Sequence, residues 1–182
     1  MNLKYEVLAL ADLEILKPLC NALMAFQKSK AHITPERFDT MNYETRLLPS
    51  VKGARDNHII VAKDGDRVIA YAYSNINKKT HYAAGPFGCF FDMDSVASDY
   101  VGCLSQFYIE PEYRGNGIGS FLFNVAMDWM KTFDDVEDLF IYVSNGNLDA
   151  LKFYESKGFR VSHEILDGFI IVMRHKKSEI SF

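Results

Sequence analysis

Apolar residues recur along the first third of the chain at two spacings. Residues 5–10 form a short β-rich run that predicts a strand. From residue 12 to about residue 30, apolar side chains return every three or four positions, which is the spacing of one helix face. Thr34 can cap a second helix and Pro35 suits its first turn, so the pattern predicts a helix from Pro35 to about Leu47. A polar stretch follows at residues 49–57.

The remaining chain predicts strands, turns and two further helices. Residues 58–63 and 67–74 flank the tight turn at Asp64, Gly65 and Asp66 and predict a β-hairpin. Residues 75–99 have no periodicity and predict a long irregular segment, which is often functional. The other predicted elements are a strand at 102–109, a helix at 120–133, a strand at 139–143, a helix at 147–157 and a hairpin at 159–165 and 169–174. This order predicts a single mixed α/β or α+β domain over residues 1–182.

The composition is that of a folded domain, because 48% of the 182 residues are hydrophobic and 14% are aromatic. A net charge of −4 argues against nucleic acid as a partner. Cys20, Cys89 and Cys103 have no metal-binding or disulfide spacing. No apolar run has the length of a membrane helix, and acids near the N-terminus argue against a signal peptide. We therefore expect a cytoplasmic protein that binds no membrane, nucleic acid or metal.

The glycine-rich segment at residues 114–120 is the strongest local sign of a ligand site. Its three glycines allow successive backbone N–H groups to point at one place, and the following helix favours an anion there. With the positive charge of Arg114, the segment predicts a phosphate or pyrophosphate site. It departs from the P-loop, and Ser120 replaces the third glycine of a dinucleotide fingerprint. A tight turn without a ligand is the alternative.

A second segment, residues 143–159, makes the pattern specific. It predicts a strand, a polar turn and a helix with the pattern N-x-x-A-x-x-F-Y-x-x-x-G-F. Together with P-x-x-R-G-x-G-I-G before it, this order resembles the GNAT superfamily of N-acetyltransferases. The resemblance implies a GNAT-like domain whose mixed central sheet has about seven strands flanked by about four helices. The matching residues are Pro111, Arg114, Gly115, Gly117, Ile118, Gly119, Asn147, Ala150, Phe153, Tyr154, Gly158 and Phe159.

The resemblance implies a site for acetyl-CoA as co-substrate, without a metal. In GNAT proteins the pyrophosphate lies on the glycine loop, and the pantetheine arm pairs with the strand before it, where a bulge and a splay open a slot. Tyr154 would protonate the leaving thiolate, with a packing role as the alternative, and Asn147 would contact the cofactor, cap its helix, or both. The implied cofactor-binding residues are Phe107, Tyr108, Ile109, Arg114, Gly115, Asn116, Gly117, Ile118, Gly119, Ser120, Asn147 and Tyr154.

The general base and the acceptor follow less directly from the residues. Asp99 is our choice of general base, with Glu110, Glu112 and a water oriented by Gln106 as alternatives. Residues 80–113 contain acids, among them Asp92 and Asp94, but no Lys or Arg, which predicts attraction of a cationic amine if this stretch flanks the acceptor. A solvated loop is the alternative.

We therefore expect an acetyl-CoA-dependent N-acetyltransferase that acts on a primary amine of a small cationic molecule, by direct attack in a ternary complex. Acetylation of a protein α-amine or lysine is the alternative reaction. A non-catalytic acyl-CoA-binding module is the alternative from another class of protein. The sequence is also compatible with a homodimer.

Overall fold

A mixed β-sheet organises the computed structural model, which describes residues 2–83 and 91–179. Its strands are β1 (Leu3–Val7), β2 (Asp56–Asp64), β3 (Arg67–Lys78), β4 (Tyr100–Ile109), β5 (Val136–Ser144), β6 (Arg160–Ile165) and β7 (Ile170–Lys176). They lie in the order β1-β2-β3-β4-β5-β7-β6, and all neighbours are antiparallel except the parallel pair β4 and β5. The seven strands confirm the expected fold class.

Helices cover both faces of this sheet. The α-helices of the described residues are α1 (Lys17–Lys30), α2 (Leu48–Gly53), α3 (Ile118–Lys131) and α4 (Leu148–Ser156). The side chains of β2 alternate between two cores: Ile59 and Val61 lie in the core with α1, and Ile60 and Ala62 lie in the core with α3. No helix in the described ranges is long and apolar enough to cross a membrane.

The second predicted helix, residues 35–47, is wrong as a continuous element. The segment instead consists of a 3-10 turn (Pro35–Thr40) and a π-helical turn (Tyr43–Leu47), and the short α2 follows it. The backbone of Met41 is extended, with φ −95° and ψ 119°, which ends the first turn. The Asn42 side chain then accepts a hydrogen bond from the backbone N–H of Thr45 at 3.0 Å and caps the next turn.

Part of the predicted irregular segment is a strand, because β3 continues to Lys78 instead of ending at Ser74. Short 3-10 turns follow at Lys79–Tyr82 and Met93–Ser95, and residues 84–90 lie outside the described part of the chain. Phe91 is buried and stacks on Phe140 of β5, with ring centroids 4.6 Å apart. Apolar contacts therefore hold this end of the segment on the sheet.

Strand β4 carries a bulge and separates from β5 beyond it. Its pairing with β3 shifts between Leu104 and Gln106, whose partners are adjacent residues of β3, so that Ser105 is the additional residue. The parallel pairing with β5 ends at Leu104 and Ile141, although both strands continue. The chain therefore has the bulge and the splay that the GNAT resemblance implied.

Candidate active site

The splay between β4 and β5 opens into a cavity of about 430 Å³, called here the first cavity. Phe107, Tyr108 and Ile109 of β4 form one wall, and Phe26 and Gln27 of α1 form another. Because β4 has lost its pairing with β5 here, this edge of the strand has backbone N–H and C=O groups without a ladder partner. An extended ligand with amide groups can pair with such an edge.

The glycine loop closes one end of the first cavity. Gly115 and Gly117 both have φ of +79°, and a Cβ at either position would meet no described atom within 4 Å. Gly117 precedes α3, and its carbonyl accepts the first hydrogen bond of the helix, from the N–H of Phe121 at 3.1 Å. The N–H groups of residues 118–120 therefore have no partner within the helix. The loop offers open space beside backbone donors, which suits a phosphate.

Arg114 connects the two walls of the first cavity. Its Nε donates to the backbone carbonyl of Ile109 at 2.9 Å, and its guanidinium lies 4.5 Å from the centre of the Phe26 ring and 5.7 Å from that of Tyr108. This hydrogen bond and the aromatic contacts hold a positive charge beside the glycine loop.

Tyr154 of α4 lies in the wall of the same cavity and is 6% exposed. Its ring packs among aromatic side chains, with ring centroids 6.4 Å from Phe107 and 6.3 Å from Phe123. Burial raises the pKa of the Tyr154 hydroxyl, which keeps it protonated near neutral pH. Among the described residues the hydroxyl has no hydrogen-bond partner, so it can donate to a ligand in the cavity.

Asn147 both caps α4 and lines the first cavity. Its Oδ1 accepts the backbone N–H of Ala150 at 3.3 Å. The capping role is therefore confirmed, and it leaves the side-chain N–H groups for a ligand.

A second cavity of about 490 Å³ adjoins the first. The two share walls formed by Leu23, Gln27, Ser105, Gln106, Tyr142 and Ser144. Gln106 is 6% exposed, and its Oε1 accepts a hydrogen bond from the hydroxyl of the buried Tyr71 at 2.7 Å, which fixes the side chain. A ligand in the second cavity can therefore meet a ligand in the first across the β4 bulge.

Comparison with known proteins agrees with this geometry. The model of the acetyltransferase (GNAT) family matches residues 23–159, which is more than half of the chain. The chain belongs to the GNAT family. Spermidine N(1)-acetyltransferase of Escherichia coli K12 is 33% identical over 66 residues, so the match spans only 36% of this chain and 36% of that relative.

Solved structures share the GNAT fold over nearly the whole chain. A PaiA N-acetyltransferase from Thermoplasma acidophilum in complex with coenzyme A has a TM-score of 0.68 and 20% identity, and the match covers 97% of this chain and 99% of that one. Arabidopsis thaliana NAA60 in complex with a bisubstrate analogue has a TM-score of 0.62 and 16% identity, covering 96% and 98%. These likenesses establish the architecture.

Most residues that the GNAT resemblance implied do lie together. The first cavity is lined by Phe107, Tyr108, Ile109, Arg114, Gly115, Gly117, Gly119, Ser120, Asn147 and Tyr154. Two side chains do not line it. Asn116 is exposed, and its Nδ2 donates to the backbone carbonyls of Tyr113 and Arg114, at 3.3 Å each, while the Ile118 side chain is 1% exposed in the core with α3. These two residues shape the loop through packing and backbone contacts.

The hypothesis that Asp99 is the general base does not fit the structure. Asp99 is exposed just before β4, at the end of the strand away from the bulge, and it lines neither cavity. Ser105 is six positions further along the chain, which is about 20 Å in an extended strand. Its backbone carbonyl accepts the N–H of Lys79 at 2.8 Å.

The other acids of residues 80–113 also lie outside both cavities. Glu110 and Glu112 form ion pairs with Arg67. Asp92 caps the 3-10 turn at Met93–Ser95, because its Oδ1 accepts the backbone N–H of Asp94 at 3.0 Å. These contacts agree with the solvated-loop interpretation of the stretch.

Several cavity residues have no motif that could have identified them. Leu23 and Phe26 follow the apolar spacing of α1, but a helix face that covers a ligand cavity has the same pattern as one that covers a core. Arg46 and Ser144 come from a turn and a strand end far apart in sequence, and only the folded sheet brings them to the second cavity.

Proposed function

We propose that the chain, over its 182 residues, forms one N-acetyltransferase domain that moves the acetyl group of acetyl-CoA to the primary amine of a small molecule. The observation that carries the proposal is the first cavity, where the free edge of β4, the glycine loop and Tyr154 share one space. The family match and the relative named for spermidine acetylation support the same chemistry.

The first cavity fits acetyl-CoA in two respects. The open space at Gly115 and Gly117, beside the N–H groups at the start of α3, suits the pyrophosphate. The pantetheine arm is an extended chain with amide groups, so the backbone of Phe107, Tyr108 and Ile109 can bind it whatever their side chains are. When bound, acetyl-CoA supplies a thioester whose carbonyl carbon is the electrophile.

Tyr154 is the proton donor of the proposed reaction. The neutral amine attacks the thioester carbon, so that a C–N bond forms and the C–S bond breaks, and the leaving sulfur takes the proton of the Tyr154 hydroxyl. The amine gives up one proton to water, and a proton from water restores Tyr154. Burial raises the pKa of Tyr154, so the hydroxyl stays protonated until the thiolate leaves and accepts the proton.

Proton removal from the amine is assigned to water, because Asp99 does not reach the cavities. No Asp or Glu among the described residues lines the second cavity. The polar side chains of Ser105, Gln106 and Ser144, where the two cavities meet, can orient a water molecule there.

The acceptor is proposed to be a small molecule because the second cavity, walled by α1, the segment after it and the sheet, has a volume of about 490 Å³, which is the size of a small-molecule site. A protein α-amine or lysine is the alternative and requires an open groove. The hypothesis that the acceptor is cationic depended on acids at residues 92–112, and none of these lines either cavity.

The test is thiol release from acetyl-CoA by the purified protein with a panel of small primary amines and of peptides with free N-termini. Turnover with small amines supports the proposal, and turnover with peptides alone supports the alternative reaction. Binding of acetyl-CoA without thiol release on any amine indicates a non-catalytic module, and absence of binding contradicts the proposal.

A further inference from the structure

We propose that two copies of this chain associate through strand β1, which pairs antiparallel with β1 of the partner subunit about a two-fold axis at Tyr5. β1 is an edge strand of the described sheet, where β2 is the strand that pairs with it. The two sheets then continue into each other across the axis. This surface is separate from both cavities, and the inference does not depend on the proposed function.

The backbone of β1 presents a row of hydrogen-bonding groups at the sheet edge. The N–H of Leu8, just after the strand, donates to the carbonyl of Ile59 in β2 at 2.8 Å. Backbone groups alternate in direction along an antiparallel strand, so those of the even-numbered residues face β2 and those of Leu3, Tyr5 and Val7 face outward. No described strand pairs with these outward groups. A second strand can therefore form a ladder with them.

The charges of β1 are complementary to those of a second β1. Lys4 and Glu6 are exposed and lie on one face of the strand. Glu6 forms an ion pair with Lys63 of β2, whereas Lys4 lies opposite that lysine and has no ion pair among the described residues. Pairing centred on Tyr5 places Lys4 opposite the partner's Glu6, and the two-fold axis repeats this contact. The association therefore supplies Lys4 with a carboxylate.

The same two charges select one register of the pair. Only the odd-numbered residues turn their backbone groups outward, so the possible registers all place odd-numbered residues opposite odd-numbered residues. The neighbouring register on one side places Lys4 opposite the partner's Lys4, and that on the other side places Glu6 opposite the partner's Glu6. Like charges directly opposite each other destabilise a strand pair, so the register centred on Tyr5 is favoured.

The other face of β1 adds an apolar strip to this surface. Leu3, Tyr5 and Val7 lie on the side of α3, where the ring centroids of Tyr5 and Phe121 are 3.9 Å apart. Val7 is 61% exposed and Phe121 is 43% exposed. In the proposed pair Leu3 lies opposite the partner's Val7, and Tyr5 lies opposite the partner's Tyr5. The association therefore removes apolar area from water.

Strand β6, at the opposite edge of the described sheet, is less suited to such pairing. Val161 and His163 pair with adjacent residues of β7, so that Ser162 is an additional residue and β6 has a bulge there. A bulge twists an edge strand away and hinders the addition of another strand. The five residues of β1 pair with β2 without a bulge. The structure therefore favours β1 for self-association.

The first experiment is sedimentation velocity of the unmodified protein between about 1 and 500 µM. A strand pair this short is a small interface, so we expect a reversible dimer with a Kd on the order of 10–100 µM. Val7→Pro removes an outward N–H that β2 does not use, and it should raise this Kd about 10-fold or more. Circular dichroism checks that the variant is folded. A monomer throughout the range in the unmodified protein overturns the inference.

The second experiment exchanges the charges of exposed side chains and so tests the register. Lys4→Glu places carboxylates opposite each other at both contacts and Glu6→Lys places ammonium groups there, so each variant alone should raise Kd about 10-fold or more. An equimolar mixture of the two variants has opposite charges at both contacts and should associate like the unmodified protein. Lys52→Glu makes the same change of net charge on α2 and should leave Kd unchanged.

Two results of the charge exchange overturn the inference. One is a mixture that associates no more tightly than the separate variants, because the contact between Lys4 and the partner's Glu6 then does not form. The other is a dimer whose Kd is the same in Lys4→Glu, Glu6→Lys and the unmodified protein, because the chain then associates through another surface.

Discussion

The side chain of Asn145, at the end of β5, forms two hydrogen bonds with the backbone of Ile33, which lies 112 positions earlier in the chain. Its Oδ1 accepts the backbone N–H of Ile33 at 2.8 Å, and its Nδ2 donates to the Ile33 carbonyl at 3.1 Å. The same amide accepts the N–H of His32 and donates to the Phe169 carbonyl. Because these bonds begin just beyond the end of α1, they fix the helix that walls both cavities.

Asn145→Ala should therefore lower the free energy of unfolding by about 2–3 kcal/mol, since several backbone groups lose buried partners. Urea unfolding followed by circular dichroism measures the change. Asn116→Ala removes an exposed amide that also bonds backbone carbonyls, and it should cost well under 1 kcal/mol. An equal loss of unfolding free energy in the two variants would show that the hydrogen bonds of Asn145 do not stabilise the fold specifically.

Gly117→Glu should abolish tight binding of acetyl-CoA, because it places a negative side chain in the space proposed for the pyrophosphate. Calorimetric titration measures the affinity. Gly65→Glu is the matched control: Gly65 also has a positive φ, +62°, with no described atom within 4 Å of its Cβ, but it lies in the β2–β3 turn. Both variants strain a backbone with positive φ. If Gly65→Glu binds acetyl-CoA normally and Gly117→Glu does not, the result supports a pyrophosphate site at the glycine loop. Unchanged affinity in Gly117→Glu removes the loop from it.

Tyr154→Phe should lower kcat by about 100-fold or more with little change in acetyl-CoA affinity, because it removes the proposed proton donor and keeps the ring. The loss should shrink with an acetyl donor whose thiol is more acidic. Tyr113→Phe removes a hydroxyl that bonds Asp64 at 3.0 Å outside both cavities, and its turnover should stay near that of the unmodified protein. Normal kcat in Tyr154→Phe, with chemistry rate-limiting, would leave Tyr154 as a packing residue.

His58 should make the protein less stable as the pH falls. Burial lowers its pKa in the folded state, its ring stacks on Trp129 with centroids 5.1 Å apart, and its Nδ1 has no partner among the described residues. The unfolded chain therefore binds the proton more readily, and stability is lost as pH drops below the unfolded value of about 6.5.

Urea unfolding between pH 7.5 and 5 measures this dependence. The slope due to one histidine is at most about 1.4 kcal/mol per pH unit. His58→Gln should reduce the dependence without removing it, because burial also lowers the pKa of His175. An identical pH profile in His58→Gln would contradict the assignment.

The sequence allowed prediction of the parts of the site that are local. The glycine loop, the backbone of β4 and Tyr154 lie within or next to the sequence motifs that predicted them. Gly65 likewise marks the β2–β3 turn, where a positive φ is required. The second helix was predicted wrongly because residues 35–47 have an apolar spacing that suits a helix and also suits separate turns, each burying one or two side chains. The break depends on the hydrogen bonds of Asn42, which periodicity does not reveal.

The second cavity was not predictable because its walls come from segments that meet only in the folded sheet. Arg46 appears in the sequence as one cation among others, and only the fold places it in the wall of the second cavity. Conversely, the acids of residues 92–112 form an obvious cluster in the sequence but lie outside both cavities. Asp92 caps a turn, and Glu110 and Glu112 form ion pairs with Arg67.

The single additional residue at Ser105 changes which side chains of β4 face each helical layer. If β4 had no bulge and Ser105 were an ordinary strand residue, strict alternation would continue the face of Leu104 at Gln106 and Tyr108. With it, Phe107 and Ile109 join Leu104 in the core with α3, while Tyr108 lies in the core with α1 and Gln106 bonds Tyr71 in that same layer. The bulge at Ser105 thus turns the amide of Gln106 toward the second cavity and the apolar side chains of Phe107 and Ile109 toward the core with α3. Deleting Ser105 would remove the bulge and still leave Gln106 and Tyr108 on the side of α1 and Phe107 and Ile109 on the side of α3, because strict alternation from Leu104 then gives the same faces.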